Sequence, residues 1–126
     1  MEKLIITGGK KLGGEISVHG SKNAVLPIMA SALLIKGETV LHNVPNLSDV
    51  EASANILRRL GARVERKAST LIIDASSVTG NTIPEEMMRE MRSSIIFLGS
   101  LLSRCGEAWL CPPGGCDIGI RPIDLH

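Results

Sequence analysis

A fixed offset of 69 residues relates two segments of this chain, and it constrains the fold more than any other feature. Leu33 maps onto Leu102, Gly37 onto Gly106, Glu38 onto Glu107, Val40 onto Trp109 and Leu41 onto Leu110. Each copy reads as a long apolar helix, a Gly-Glu pair, a short strand, a proline-containing loop and a new helix. In the first copy that helix finishes and a hairpin follows. In the second, the sequence reaches His126 just after Pro122 opens the helix. The implied unit is helix-strand-helix-strand-strand with an entering strand before it, an α/β architecture. Each unit of a repeat needs neighbours to cover its apolar face. The expectation is therefore a truncated second unit and a chain liable to self-associate.

The local signals fill in this unit. Leu4-Ile5-Ile6 and Glu15-Ile16-Ser17-Val18-His19 are bounded by glycines and read as strands. Ser21 reads as the N-cap of a helix that runs to about Ile35-Lys36 and stops at Gly37, with Pro27 kinking its first part. Glu38 to His42 reads as a strand closed by Pro45. Ser48 and Glu51 suggest a capping box for a second helix whose buried face is Val50, Ala54, Ile56, Leu57 and Leu60, ended by Gly61. Ala62–Arg66 and Leu71–Asp74 read as a hairpin. Pro84-Glu85-Glu86 opens a further helix, with Ser93-Ser94 as a possible restart and Gly106 as its close. Glu107 to Cys111 reads as a strand.

Composition narrows the function classes. Phe97 and Trp109 are the only aromatic residues, so the core is aliphatic and no base-stacking platform is available. Charge is balanced at 14 basic against 13 acidic residues, which gives no footprint for nucleic acid or a membrane surface. The longest apolar stretch, Ala24 to Ile35, is too short to span a bilayer and contains Pro27 and Ser31. Nothing at the N-terminus reads as a secretory signal, so a cytoplasmic setting is expected. There the three cysteines, Cys105, Cys111 and Cys116, are free thiols, and their spacing lacks the pairs of a zinc site or a redox motif.

Two places carry candidate chemistry. Cys116 sits in the glycine-rich turn Pro112-Pro113-Gly114-Gly115-Cys116, with Arg121 five residues on. Backbone amides of such a turn and a nearby cation both favour the thiolate and raise reactivity. The plain alternative is an inert loop cysteine. Cys105 and Cys111 read as core or boundary residues. Lys22 and Asn23 open a helix, where a cation opposes the macrodipole and an anionic ligand would relieve the conflict. The plain alternative is a solvated lysine. Arg92 opens the matching helix, 70 residues on. Arg58, Arg59, Arg63, Arg66 and Lys67 read as solvated faces and hairpin edges. His19 and His42 read as structural histidines, and Met87, Met88 and Met91 as core filler.

Three motifs together are specific. Gly20-Ser21-Lys22-Asn23-Ala24-x-Leu26-Pro27-Ile28, Asn43-Val44-Pro45 and Pro113-Gly114-Gly115-Cys116-x-Ile118-Gly119-x-Arg121-Pro122-x-Asp124-Leu125-His126 resemble the N-terminal part of the UDP-N-acetylglucosamine 1-carboxyvinyltransferase family, over the whole chain. The cysteine separates that family from the related shikimate-pathway enolpyruvyl transferase. The resemblance implies an inside-out α/β barrel of repeated βαβαββ units, present here in part. Residues 1–20 would be a strand segment belonging with a second domain, and 21–126 a partial first domain of one complete unit and a truncated second. It implies transfer of the enolpyruvyl group of phosphoenolpyruvate to the 3′-hydroxyl of UDP-N-acetylglucosamine with release of phosphate. That is the first committed step of bacterial peptidoglycan synthesis. Cys116 would be the proton donor. Lys22, Arg92 and Arg121 would neutralise phosphate and carboxylate, Asn23 would bond the sugar nucleotide or intermediate, and Arg121, Pro122, Ile123, Asp124 and Leu125 would form the uridine-binding segment. No metal or organic cofactor is implied. Ile96 departs from the tryptophan some members place against the sugar nucleotide. The competing expectation for a chain of this length is a non-catalytic folding or interaction fragment.

Overall fold

The computed structural model describes residues 3–114. Helix α1 (Lys22–Ser31) continues into a 3₁₀ turn at Ala32–Leu34 and leads to strand β1 (Glu38–Leu41). Helix α2 (Ser48–Arg59) and the hairpin β2 (Arg63–Lys67) and β3 (Thr70–Asp74) complete the first unit. Strand β4 (Thr82–Ile83), helix α3 (Glu85–Glu90), a 3₁₀ segment (Arg92–Ile96), helix α4 (Phe97–Cys105) and strand β5 (Trp109–Leu110) follow.

β3 lies between β1 and β2 and is antiparallel to both, so β1 and β2 run parallel across a crossover through α2. β4 and β5 pair in parallel, with α3 and α4 in their crossover. The register puts Val64 opposite Ile73 and Leu41 opposite Leu71. These residues share one face, and Val64, Leu71 and Ile73 are buried there. Arg63, Glu65 and Lys67 alternate to the other face and stay exposed, as period-two alternation requires. The helices pack on the buried side: α1 contacts α2 and α4, and α2 contacts α3 and β2. Helices therefore lie inside and the charged sheet face outside. The core is aliphatic apart from Phe97, joined by Met29, Leu33, Ile56, Leu57, Met88 and Leu101, all at most 1% exposed.

The two copies of the repeat are tied by one cation. Arg104 of α4 donates to the Leu33 carbonyl at 3.0 Å and the Ala75 carbonyl at 2.8 Å. It donates to a carbonyl at the end of the first copy's helix and to one just beyond β3, the latter also accepting from the Val78 N–H at 3.4 Å. Gly106 ends α4 in the left-handed conformation, φ 80°, with its N–H on the Leu102 carbonyl.

Several expectations change. Residues 4–6 and 15–19 form no strand within the described chain, because no ladder partner lies beside them. Leu4, Ile5, Ile6, Leu12, Ile16 and Val18 are 82–93% exposed. Ser48 is not the N-cap of α2. Leu47, extended at φ −130°, takes that place, and no side chain caps the helix. Glu51 reaches Arg58 instead, at 2.7 Å. The helix after Pro84, whose continuity the sequence leaves open, is broken at Met91, which is extended at φ −144° and ψ 143°. Arg58 and Arg66 are more than solvated. Arg58 donates to the Val64 carbonyl at 3.2 Å, and Arg66 to the Val44 and Pro45 carbonyls at 3.4 Å each.

A pH prediction arises at the end of β3. The Ser76 hydroxyl donates to the Asp74 carboxylate at 2.6 Å and the Ser76 backbone N–H at 3.0 Å. These bonds, the hydroxyl first, with Arg63 at 3.7 Å adding a smaller pull, hold the Asp74 pKa below 3.8 against slight burial. A depressed carboxylate stabilises the fold above the unfolded value, and that contribution is lost as pH falls through the folded one. Ser76→Ala is expected to raise the Asp74 midpoint in an NMR titration and to move the onset of acid loss upward. An unchanged midpoint would contradict the assignment.

Candidate functional site

Lys22 is the first residue of α1, a helix with no acid in its first turn and with Ser21 at the N-cap position but making no side-chain cap. The chain enters through Gly20. A β-carbon on Gly20 would collide with the Asn43 carbonyl oxygen, so only glycine lets the two segments meet. Asn43 itself sits at φ 56°, in the region asparagine tolerates. This contact fixes where α1 begins and hence where Lys22 starts. Pro27 lies inside the helix and has no N–H, so the Asn23 carbonyl lacks its usual donor four residues on. The Asn23 side chain is exposed.

The Lys22 ammonium meets the Asp49 carboxylate at 2.9 Å, with side-chain exposures of 49% and 28%. Asp49 is in the first turn of α2. The sequence carries no signal for this pair beyond an acid near a helix start, since the meeting of two helix N-termini is a tertiary event.

Arg92 opens the 3₁₀ segment as Lys22 opens α1, and the two elements are in contact. Its side chain is half-buried. Behind it, the carbonyl of Met88 accepts two hydrogen bonds. One comes from the hydroxyl of Ser94, fully buried, at 3.0 Å. The other comes from the backbone N–H of Gly114, also at 3.0 Å. One acceptor thus holds both the segment that carries Arg92 and Gly114, two residues before Cys116 in the sequence. Gly114 packs directly on the α3 backbone, where an added β-carbon would stand 2.8 Å from the Arg89 carbonyl carbon and closer still to its oxygen and Cα. The sequence marks Ser94 only as a helix restart.

Cys116, Arg121, Pro122, Ile123, Asp124 and Leu125 lie outside the described residues. Cys105 and Cys111 are free and half-buried, Cys105 against the core, as boundary thiols are. His42 has Nδ1 3.3 Å from the Thr70 hydroxyl, a structural contact. A groove of about 230 Å³ beside α1 is lined by Val25, Ile28, Val40, Leu41 and Pro45 together with Ser21, His42 and Asn43. Lys22 does not line it, and its apolar walls suit an aliphatic surface rather than an anion. Among the described residues no cluster of three His, Cys, Asp or Glu side chains could hold a metal. Among them, too, no helix is long and apolar enough to cross a membrane.

Comparison with known proteins places this arrangement. The family model for EPSP synthase (3-phosphoshikimate 1-carboxyvinyltransferase) matches residues 6–126. A protein named UDP-N-acetylglucosamine 1-carboxyvinyltransferase 2 from Caldanaerobacter subterraneus subsp. tengcongensis is 48% identical over 126 residues. A UDP-N-acetylglucosamine 1-carboxyvinyltransferase from Chloroherpeton thalassium is 52% identical over 127 residues. All of this chain is covered in both cases, and the chain spans about 30% of the length of these relatives. The crystal structure of the enolpyruvyl transferase NikO from Streptomyces tendae superposes with a TM-score of 0.70 at 24% identity, covering 77% of this chain and 23% of that one. The inside placement of the helices is therefore that of the enolpyruvyl transferase fold. With the family pattern matched from residue 6 to residue 126 and the fold shared, the chain belongs to the EPSP synthase (3-phosphoshikimate 1-carboxyvinyltransferase) family.

Proposed function

We propose that this chain supplies one wall of an enolpyruvyl transfer site, working on phosphoenolpyruvate and the 3′-hydroxyl of UDP-N-acetylglucosamine and releasing phosphate. The observation that carries the reading is the Met88 carbonyl, which fastens the Arg92 segment and Gly114, two residues before Cys116, to the same point. The names of the relatives support the choice of substrates. Chemically, proton delivery to C3 of phosphoenolpyruvate makes C2 electrophilic for attack by the sugar hydroxyl. The hydroxyl gives up its proton as it adds, and loss of phosphate from C2 together with a proton from C3 of the resulting ketal then regenerates the double bond. Cys116 is the proton donor in this reading, a task for a thiol protonated near neutrality that still yields its proton. Lys22, Arg92 and Arg121 stabilise the phosphate and carboxylate charges. Asn23 bonds the sugar nucleotide or the intermediate, and Arg121 to Leu125 hold the uridine. The reaction belongs to cell-wall peptidoglycan synthesis and to the cytoplasm.

In the same reading, residues 1–20 pair with a second domain and 21–126 belong to the first. The exposed apolar side chains from Leu4 to Val18 support that division, since they match no partner in the described chain. They also favour a second reading for the chain by itself, in which it associates with copies of itself and turns nothing over.

The test is covalent mapping with the epoxide fosfomycin. An adduct found by mass spectrometry at Cys116, with Cys105 and Cys111 unmodified, is the expected result. Equal labelling of the three thiols would remove the support for a preformed site.

A further inference from the structure

We infer that Asp49 is an internal counter-anion for Lys22, a residue that sets how tightly the site holds a phosphate-class anion. The inference rests on the reading of Lys22 as an anion-binding lysine and goes beyond it, because Asp49 has no role there. Three observations carry it. The first is the contact itself, 2.9 Å between Nζ and the carboxylate. The second is the placement of both charges at helix starts. Lys22 stands at the positive end of α1, where a cation is disfavoured and always gains from a neighbouring anion. Asp49 stands in the first turn of α2, where its charge is favoured with or without a lysine. The third is exposure. With side chains 49% and 28% exposed, the pair is of the weak, solvent-screened kind.

Together these define a hand-over. When no ligand is bound, Asp49 supplies the anion that Lys22 needs. An arriving phosphate takes its place as the nearest partner, and Asp49 remains settled on the α2 terminus without a new one. The weakness of the pair keeps the exchange shallow. The carboxylate nevertheless stays close enough to repel the phosphate group, so a ligand held by Lys22 alone is bound less tightly than one with further contacts. Asp49 therefore weakens the hold on any anion seated at Lys22, inorganic phosphate included.

The experiment titrates inorganic phosphate into the full 126-residue chain, following backbone amide shifts by NMR. Wild type is compared with Asp49→Asn and Lys22→Ala. Asp49→Asn keeps the size of the side chain and removes the charge. Phosphate affinity is expected to rise by about three- to ten-fold in Asp49→Asn, the size of one screened like charge. It should fall in Lys22→Ala. A gain in affinity is a readout that damage to the fold does not produce, and thermal unfolding of each variant checks the fold. If Lys22→Ala weakens binding while Asp49→Asn leaves it equal or weaker, Asp49 is not a competitor and the inference is overturned. If Lys22→Ala binds phosphate as wild type does, or wild type does not bind it, the anion-site reading fails and takes the inference with it. As a second carboxylate control, Glu51→Gln removes an acid two residues away that faces Arg58 instead, and no gain is expected.

Discussion

Gly114→Ala is expected to detach the loop root from α3 and to cut the rate of fosfomycin addition at Cys116 by up to about 100-fold, the order of loss that a 1 Å misplacement can produce. The obstacle is backbone. The new methyl would stand 2.8 Å from the Arg89 carbonyl carbon and inside contact distance of its oxygen and Cα. A flexible side chain could swing aside, but a helical backbone cannot do so cheaply. The segment must lift, and the 3.0 Å bond from the Gly114 N–H to the Met88 carbonyl goes with it. Ser94 still reaches that carbonyl, so the acceptor is not orphaned and the rest of the fold should persist. The stability cost is expected to be about 1–3 kcal/mol, the range for overpacking. Thermal unfolding and the labelling rate measured together check the prediction. An alanine variant that labels at the wild-type rate would show that the Gly114 contact does not position the thiol.

Phe97→Ala should be the more severe change for the fold as a whole. Phe97 is the sole phenylalanine, is fully buried, and begins α4 directly after the 3₁₀ segment. Truncating a buried phenylalanine costs about 3–5 kcal/mol, through lost transfer energy and the cavity left behind. Domains of this size have about 5–15 kcal/mol in all, so the variant should be at or near the edge of folding. α4 also carries Arg104, which grips the Leu33 and Ala75 carbonyls. Loosening α4 therefore releases the first unit along with the second. Chemical denaturation should show a midpoint shift common to probes in both units. A transition confined to residues beyond Thr82 would contradict this coupling.

What could be read from the sequence was what local chemistry decides. The hairpin, the buried stripe of α2 from Val50 to Leu60, and Gly106 as a helix stop all depend on side-chain period or backbone conformation. The Ser48 capping box failed because Leu47 is already extended and Glu51 finds Arg58, a residue seven positions on that a four-residue motif cannot see. The strands at 4–6 and 15–19 failed for another reason. β-Propensity records how a side chain suits a paired surface, and no paired surface is supplied to them here. The break at Met91 depends on Ser94 folding back to Met88, which no period reports. Lys22 and Arg92 stand out in the sequence because each opens a helical element, a local property, and both stand at such starts in the structure. The pairing with Asp49 and the convergence on Met88 do not stand out in the sequence, because both join residues far apart in the chain.

Gly20 has a mechanical consequence. The stretch before it could reach roughly 60 Å if drawn straight. Its inner end is moored beneath the Asn43 carbonyl, two positions ahead of Lys22. Traction on this tether is delivered at the mooring and therefore at the entrance of α1. Whatever body grips the arm pulls on the footing of the lysine, so a distant grip and a local charge share one anchor.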